Sequence, residues 1–199
     1  MGNDGVHELD YARWGLGVET HPTRISASGG KYFFDDDQQF PDTQQVAFEY
    51  PGDGKIGNQR MLIWEMRIWS TNYPYNVDNG AEFYGTKGRM MFTKRGKLEV
   101  FGERNKRIEP KLNRKQRELS SSHQADFLDA IRNNRKPNAE IEIGHLSASL
   151  CHLGNIATRV GRTLVFDPKR EQISGDKQAN RLLSRTYRKE GHWGIPKGA

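Results

Sequence analysis

Gly5-Val6-His7-Glu8-Leu9-Asp10-Tyr11-Ala12-Arg13-Trp14-Gly15-Leu16-Gly17 reads as one amphipathic helix at the head of the sequence. Val6, Leu9, Ala12 or Arg13, and Leu16 recur at three- and four-residue steps, the period of a helix that buries one side. Gly15 and Gly17 supply the stop. His7 and Asp10 stand a turn apart on one face. An imidazole and a carboxylate so placed can relay a proton or grip a substrate hydroxyl. An acidic residue near a helix N-terminus is also stabilising with no chemistry attached. Spacing alone leaves both readings open.

At 199 residues the chain is long enough for one domain with a real core and short for two. Its apolar content is low, yet four Trp, nine Phe and seven Tyr are too many aromatics for a disordered chain. The single cysteine, Cys151, excludes an intramolecular disulfide and a cysteine-based zinc cluster. No apolar run approaches the roughly 18 residues of a membrane span. A dinucleotide-binding Gly-x-Gly-x-x-Gly after a strand is also missing. Gly15-Leu16-Gly17 follows a helix and lacks the third glycine.

Downstream the sequence alternates strands and turns. Arg24 to Phe34 is β-prone, interrupted by Gly29-Gly30, and Asp35-Asp36-Asp37 reads as a solvated loop rather than a cation site. Val46–Tyr50 is a half-buried strand. Arg60 to Ser70 is the strongest strand, with Leu62, Trp64, Met66 and Ile68 on one face and Met61, Ile63, Glu65, Arg67 and Trp69 on the other. Bulk on both faces predicts a central position, and the second face is a candidate interface. Ser70 to Asn76, aromatic and amide-rich, would suit a carbohydrate, or equally be an ordinary turn. Ala81 to Phe92 is a hairpin around Gly85-Thr86-Lys87-Gly88, and Lys97–Phe101 adds a strand.

Helices dominate the rest. Arg104, Lys106, Arg107, Lys111, Arg114, Lys115 and Arg117 carry most of the net charge of +6. Without interleaved aromatics they read as a charged surface loop, with a basic nucleic-acid-binding module as the rival. Ser121 and Gln124 form a capping box for a helix from His123 to Asn133, with Ala125, Leu128 and Ile131 as its buried stripe and Phe127 alongside. Glu140 to Val160 is the long helix, with Leu146, Leu150, Leu153, Ala157 and Val160 as its stripe. Gly161 ends it, Thr163–Pro168 returns as a strand, and a short helix precedes an extended Thr186-Tyr187-Arg188. Residues 190–199 are a flexible tail. Strands followed by helices, without βα alternation, give an α+β domain: an open, largely antiparallel sheet with helices packed on one face.

The opening helix resembles the one that begins the C-terminal domain of the glucose–fructose oxidoreductase / inositol dehydrogenase / MocA family. That family's Asp-x-x-x-His-x-x-Asp falls on Asn3, His7 and Asp10, with Asn3 departing from the pattern and Asp4 next to it. The Gly85 turn, the His123–Arg132 run, Glu142-Ile143-Gly144-His145 and Arg185-Thr186-Tyr187-Arg188 follow in the family's order. The resemblance implies a substrate-binding and oligomerisation domain over residues 1–189, cut off at its N-terminus from a Rossmann domain that binds NAD or NADP. It implies His7 as the acid/base, Asn3, Asp10 and His145 as substrate contacts, a sugar or polyol substrate, and a homo-oligomer built through the sheet face. It implies no metal ligands and no cofactor-binding residues in this chain, a cytoplasmic location, and no activity for this part alone. A scaffold that kept the fold and lost the chemistry is the other reading.

Overall fold

Burial alternates along Thr43–Tyr50, where Gln44, Val46, Phe48 and Tyr50 are buried and Gln45 is exposed, so this strand turns one face to a core. The computed structural model describes residues 1–111 and 122–185. Its elements are α1 (Gly5–Leu16), β1 (Arg24–Gly30), β2 (Thr43–Tyr50), β3 (Arg60–Arg67), β4 (Ala81–Gly85), β5 (Gly88–Phe92), β6 (Leu98–Phe101), β7 (Arg107–Ile108), α2 (His123–Arg132), α3 (Ile141–Val160), β8 (Leu164–Asp167), β9 (Gln172–Ile173) and α4 (Lys177–Asn180). The fold is α+β with open antiparallel sheets and helices. Its strands divide between two sheets, ordered β3-β2-β1-β8-β9 and β4-β5-β6-β7. By contact the chain forms two units, Met1–His21 with Arg67–Cys151, and Pro22–Met66 with the chain from His152 on.

In the second unit the five-stranded sheet buries one face. Ile25 pairs with Phe48 on β2 and Leu164 on β8, so all three point the same way, and none exposes more than 1%. Leu153, Ile156 and Ala157 of α3 are buried in the same unit, and Gln44 Nε2 donates to Thr158 Oγ1 at 2.7 Å. The other face is open. β3 lies at the edge of the sheet, not at its centre. Its two faces divide as the alternation requires, but Met61 and Ile63 are 55% and 58% exposed rather than covered by a neighbour. Side-chain bulk reported the faces correctly and could not report the strand order.

Asp42 organises the loop between β1 and β2. It is fully buried and accepts from the backbone N–H groups of Tyr32, Phe33 and Phe34 at 3.1, 2.9 and 2.9 Å, and from Thr43 Oγ1 at 2.8 Å. Asp36 turns to Lys31 instead.

In the first unit α1 packs on the four-stranded sheet. The β4–β5 hairpin closes through Thr86-Lys87, with Gly85 opposite Gly88. Gly17 is the left-handed cap of α1 (φ 69°), donating its N–H back into the last turn. Gly15, expected as part of the stop, lies inside the helix. A Cβ there would sit 2.3 Å from the Phe83 ring of β4, so its role is space.

α2 departs further from its expected packing. Phe127, Leu128 and Ile131 are exposed, and the buried residues are Asp126 and Ala130. Asp126 accepts from Asn138 N at 2.7 Å and Arg135 Nη2 at 2.8 Å, bonds that draw the helix in on its polar side. The cap is Ser122, whose hydroxyl accepts from Ala125 N at 3.2 Å, while Ser121 lies outside the described residues. α3 matches its predicted stripe, with Leu146, Leu150, Leu153 and Ala157 all buried. Residues 186–199, where an extended segment and a tail were expected, also lie outside the described residues. No helix among the described residues is long and apolar enough to cross a membrane.

Burial pushes the Asp42 carboxyl pKa up, but the Phe33, Phe34, Thr43 and Tyr32 donors outweigh it and hold it well below the ordinary range. A depressed folded pKa contributes stability above the unfolded value of about 3.9, lost as pH falls through and below it. Asp42→Asn therefore unfolds at lower urea than the parent at pH 7, and the gap narrows in titrations taken below about pH 4. A gap independent of pH would contradict the assignment.

Candidate functional site

α1 divides into three faces at 100° steps. Asp4, Glu8, Tyr11 and Gly15 lie toward the four-stranded sheet. Tyr11 meets the Phe92 ring edge-on at 5.3 Å, and Lys94 Nζ lies 2.8 Å from Asp4 and 3.4 Å from Glu8. Asp4 sits at the cap position, but its carboxylate goes to Lys94 and makes no cap bond. Glu8 is 4% exposed and neither of its oxygens has a hydrogen bond, so Lys94 is the charge that offsets its burial. The hydrogen bond to Asp4, and the negative charge of Glu8, push the Lys94 pKa up. Burial first, then Glu8 and Asp4, push the Tyr11 hydroxyl up as well.

Gly5, Leu9 and Arg13 form the second, buried face. Arg13 is 3% exposed and spreads its guanidinium over four acceptors. Nε donates to Ser147 Oγ at 3.1 Å, Nη1 to Val18 O at 2.9 Å, Nη2 to Ile143 O at 3.5 Å, and Nη2 lies 3.8 Å from Asp10 Oδ1. Ser147 Oγ in turn donates to Asp10 Oδ1 at 2.5 Å. The arginine thus clamps α1 to the first turns of α3.

His7, Asp10 and Trp14 occupy the third face, with Asn3 in the turn ahead of the helix. Asn3 and His7 are exposed, Trp14 is 57% exposed, and Asp10 is half-buried. His7 makes no side-chain hydrogen bond among the described residues, and Asp10 is engaged by Ser147 rather than by the imidazole. The same-face placement of His7 and Asp10 holds; the direct carboxylate–imidazole bond does not form. His145 stands apart from them. Ser147 turns its side chain to α1, and a residue two positions before it points about 160° away around α3. Its ring packs edge-on against buried His21 at 5.3 Å. Sequence reasoning missed Arg13 and Ser147, the residues that position this face. A charged residue at an apolar step of the helical period was the available signal for Arg13; nothing local marked Ser147.

The face that results is a solvent-facing imidazole beside a half-buried carboxylate whose position is fixed by a hydroxyl and a guanidinium. It can exchange a proton with, and hydrogen-bond to, a hydroxylated ligand.

Residues 79–194, more than half of the chain, match the model of an oxidoreductase family's C-terminal alpha/beta domain. No curated protein sequence matches the chain. Among solved structures, an oxidoreductase from Sinorhizobium meliloti superposes with a TM-score of 0.60 at 14% identity, over 81% of this chain and 51% of that one. An oxidoreductase from Agrobacterium radiobacter, in complex with NAD+, L-tartaric acid and magnesium, gives 0.56 at 16% identity, over 82% and 48%. The WlbA dehydrogenase from Bordetella pertussis, in complex with NADH and UDP-GlcNAcA, gives 0.55 at 16%, over 83% and 44%. At such identities the likeness is one of fold, and the chain spans about half the length of these proteins.

Because Lys94 offsets the buried Glu8 charge, Lys94→Met lowers the urea midpoint of unfolding. Adding Glu8→Leu to Lys94→Met recovers most of the loss, since the uncompensated carboxylate goes with it. Strictly additive losses in this double-mutant cycle would show that the two groups do not interact.

Proposed function

The chain belongs to the glucose–fructose oxidoreductase / inositol dehydrogenase / MocA oxidoreductase family as its C-terminal alpha/beta domain, and on that premise we propose that it is the substrate-binding and oligomerising part of a nicotinamide-dependent enzyme acting on a sugar or polyol hydroxyl. The observation that carries the reading is the outward face of α1. His7 is exposed and unbonded among the described residues, so its ring nitrogens remain available to a ligand. In this reading His7 exchanges the proton of the reacting hydroxyl, and Asp10 and Asn3 hydrogen-bond the neighbouring hydroxyls. The Ser147 bond holds the Asp10 carboxylate in one position, leaving its second oxygen for the substrate. His145 takes no part in that contact in this reading; its ring packs edge-on against His21.

NAD or NADP would be held mainly by a nucleotide-binding domain outside these residues. The one near match to a phosphate turn, Gly15-Leu16-Gly17, is taken up by α1 itself, with Gly15 inside the helix against the Phe83 ring and Gly17 as the cap. When bound, the nicotinamide accepts hydride from the carbon that bears the hydroxyl. What this chain contributes is the proton acceptor, the orientation of the hydroxyl, and a face for assembly. The open side of the five-stranded sheet supports the last part, with Met61, Ile63 and Val165 each more than half exposed.

The test is His7→Asn in the protein that carries both domains. His7 is exposed and makes no side-chain hydrogen bond among the described residues, so the variant folds with unchanged thermal stability. Its kcat for the sugar or polyol falls about 10²- to 10⁴-fold, the usual range for losing a general acid/base. Undiminished turnover on every substrate the parent oxidises would remove the acid/base role, and an inactive parent with intact nucleotide binding would favour the scaffold reading.

A further inference from the structure

The loop from Lys31 to Phe40, between β1 and β2, holds four aromatic rings in water. Tyr32 and Phe33 are 72% and 66% exposed, and Phe34 and Phe40 are exposed as well. The backbone beneath them is fixed. Asp42 holds three consecutive amides, Gln38 N donates to Asp36 Oδ1 at 3.0 Å, and Arg159 Nη2 donates to Gln39 Oε1 at 3.2 Å. Phe33 and Phe34 meet edge-on at 5.2 Å. Rings on a braced loop form a patch prepared for a partner, because little conformational freedom remains to be lost on docking. Three carboxylates lie in the same loop. Lys31 pairs with Asp36, whereas Asp35 and Asp37 are exposed and make no ion pair among the described residues.

Rings beside unpaired carboxylates fit arginine, whose guanidinium stacks on an aromatic face while its N–H groups meet an acid. The chain builds such a stack elsewhere, with Arg89 Cζ 4.1 Å from the centroid of the Phe101 ring. It also carries the complementary surface. β7 is the last strand of the four-stranded sheet, so one side of its backbone has no strand partner among the described residues. Arg104 and Lys106, in the turn before β7, are exposed and make no ion pair among the described residues. Ile108 of β7 is exposed beside them, as is Arg107, which lies 3.9 Å from Glu109. One patch is acidic and aromatic, the other basic with an aliphatic residue at its edge, and every chain carries both. Two copies related by a two-fold axis therefore make the contact twice.

We propose that the 31–40 loop of one copy docks on the β7 edge of a second copy of this chain. Its rings receive Ile108 and the guanidinium groups, and Asp35 and Asp37 face Arg104 and Lys106. The contact extends the assembly part of the proposed function and rests on that part alone. It needs neither His7 nor the open face of the five-stranded sheet.

Unlabelled and isotope-labelled chains are mixed and treated with a carbodiimide, which joins a carboxylate to an amine it touches, and the linked peptides are read by mass spectrometry. The expected product joins Asp35 or Asp37 to Lys106 and includes mixed-isotope pairs, while the Lys31–Asp36 link, formed inside one chain, stays isotopically pure. In sedimentation velocity, Asp35→Lys with Asp37→Lys weakens self-association at least about tenfold. Arg104→Glu with Lys106→Glu does the same, and the four substitutions together restore it. All four residues are exposed and unpaired, so each variant keeps the parent's urea midpoint. Absence of the link, a link found only within one chain, or a fourfold variant that associates no more tightly than either pair would overturn the proposal. Ile63→Asp, on the open sheet face, leaves the link in place; its loss in that variant would also overturn the proposal, since the contact would then be secondary to the sheet face.

Discussion

A guanidinium that cannot lose its proton sits almost fully buried at Arg13, and the geometry of the first unit follows from satisfying it. An uncompensated buried charge costs several kcal/mol, so its acceptors are not optional. They are found at Val18 O, Ile143 O, Ser147 Oγ and, at salt-bridge distance, Asp10. Because these acceptors lie on α3 and just past the end of α1, meeting them fixes the rotation of α1. Once Arg13 and Leu9 point inward, a helix of 3.6 residues per turn has no choice but to turn His7 and Trp14 out. The functional reading of His7 is thus a consequence of where an arginine must go.

Asp10 shows the same logic on a smaller scale. Two partners a turn away competed for it, the imidazole of His7 and the guanidinium of Arg13, and the buried cation with its serine relay won. The carboxylate gives up the chance to orient His7 and gains a fixed position of its own. On the sheet-facing side Lys94 plays a matching part, reaching Asp4 and the buried Glu8 together. Both charged clusters stabilise the N-terminal helix, and neither leaves its imidazole engaged.

Much of this architecture was legible from residue patterns. The span of α1, the β4–β5 hairpin and the buried stripe of α3 all follow from period and glycine placement, which are local properties. Three things were not legible, each because it depends on residues remote in sequence. β3 is an edge strand because of which strands pair, and its own alternation is silent on that. The apolar residues of α2 stay exposed because Asp126 is drawn inward by Arg135 and Asn138. Asp10 bonds Ser147, 137 positions away. The candidate site was therefore half visible: the His7 face could be read from spacing, and the clamp behind it could not.

The outward placement of His7 requires α1 to be anchored rather than frayed, and amide hydrogen exchange measures that directly. In the parent chain the amides from Leu9 to Leu16 should exchange as slowly as those of α3, through the same cooperative opening. In Arg13→Ala the α1 amides alone should speed up by about a hundredfold, equivalent to losing roughly three hydrogen bonds at about 1 kcal/mol each, while the strands β1 and β2 stay protected. Rapid exchange throughout α1 in the parent, or an Arg13→Ala variant that leaves it unchanged, would contradict the clamp and with it the outward placement of His7.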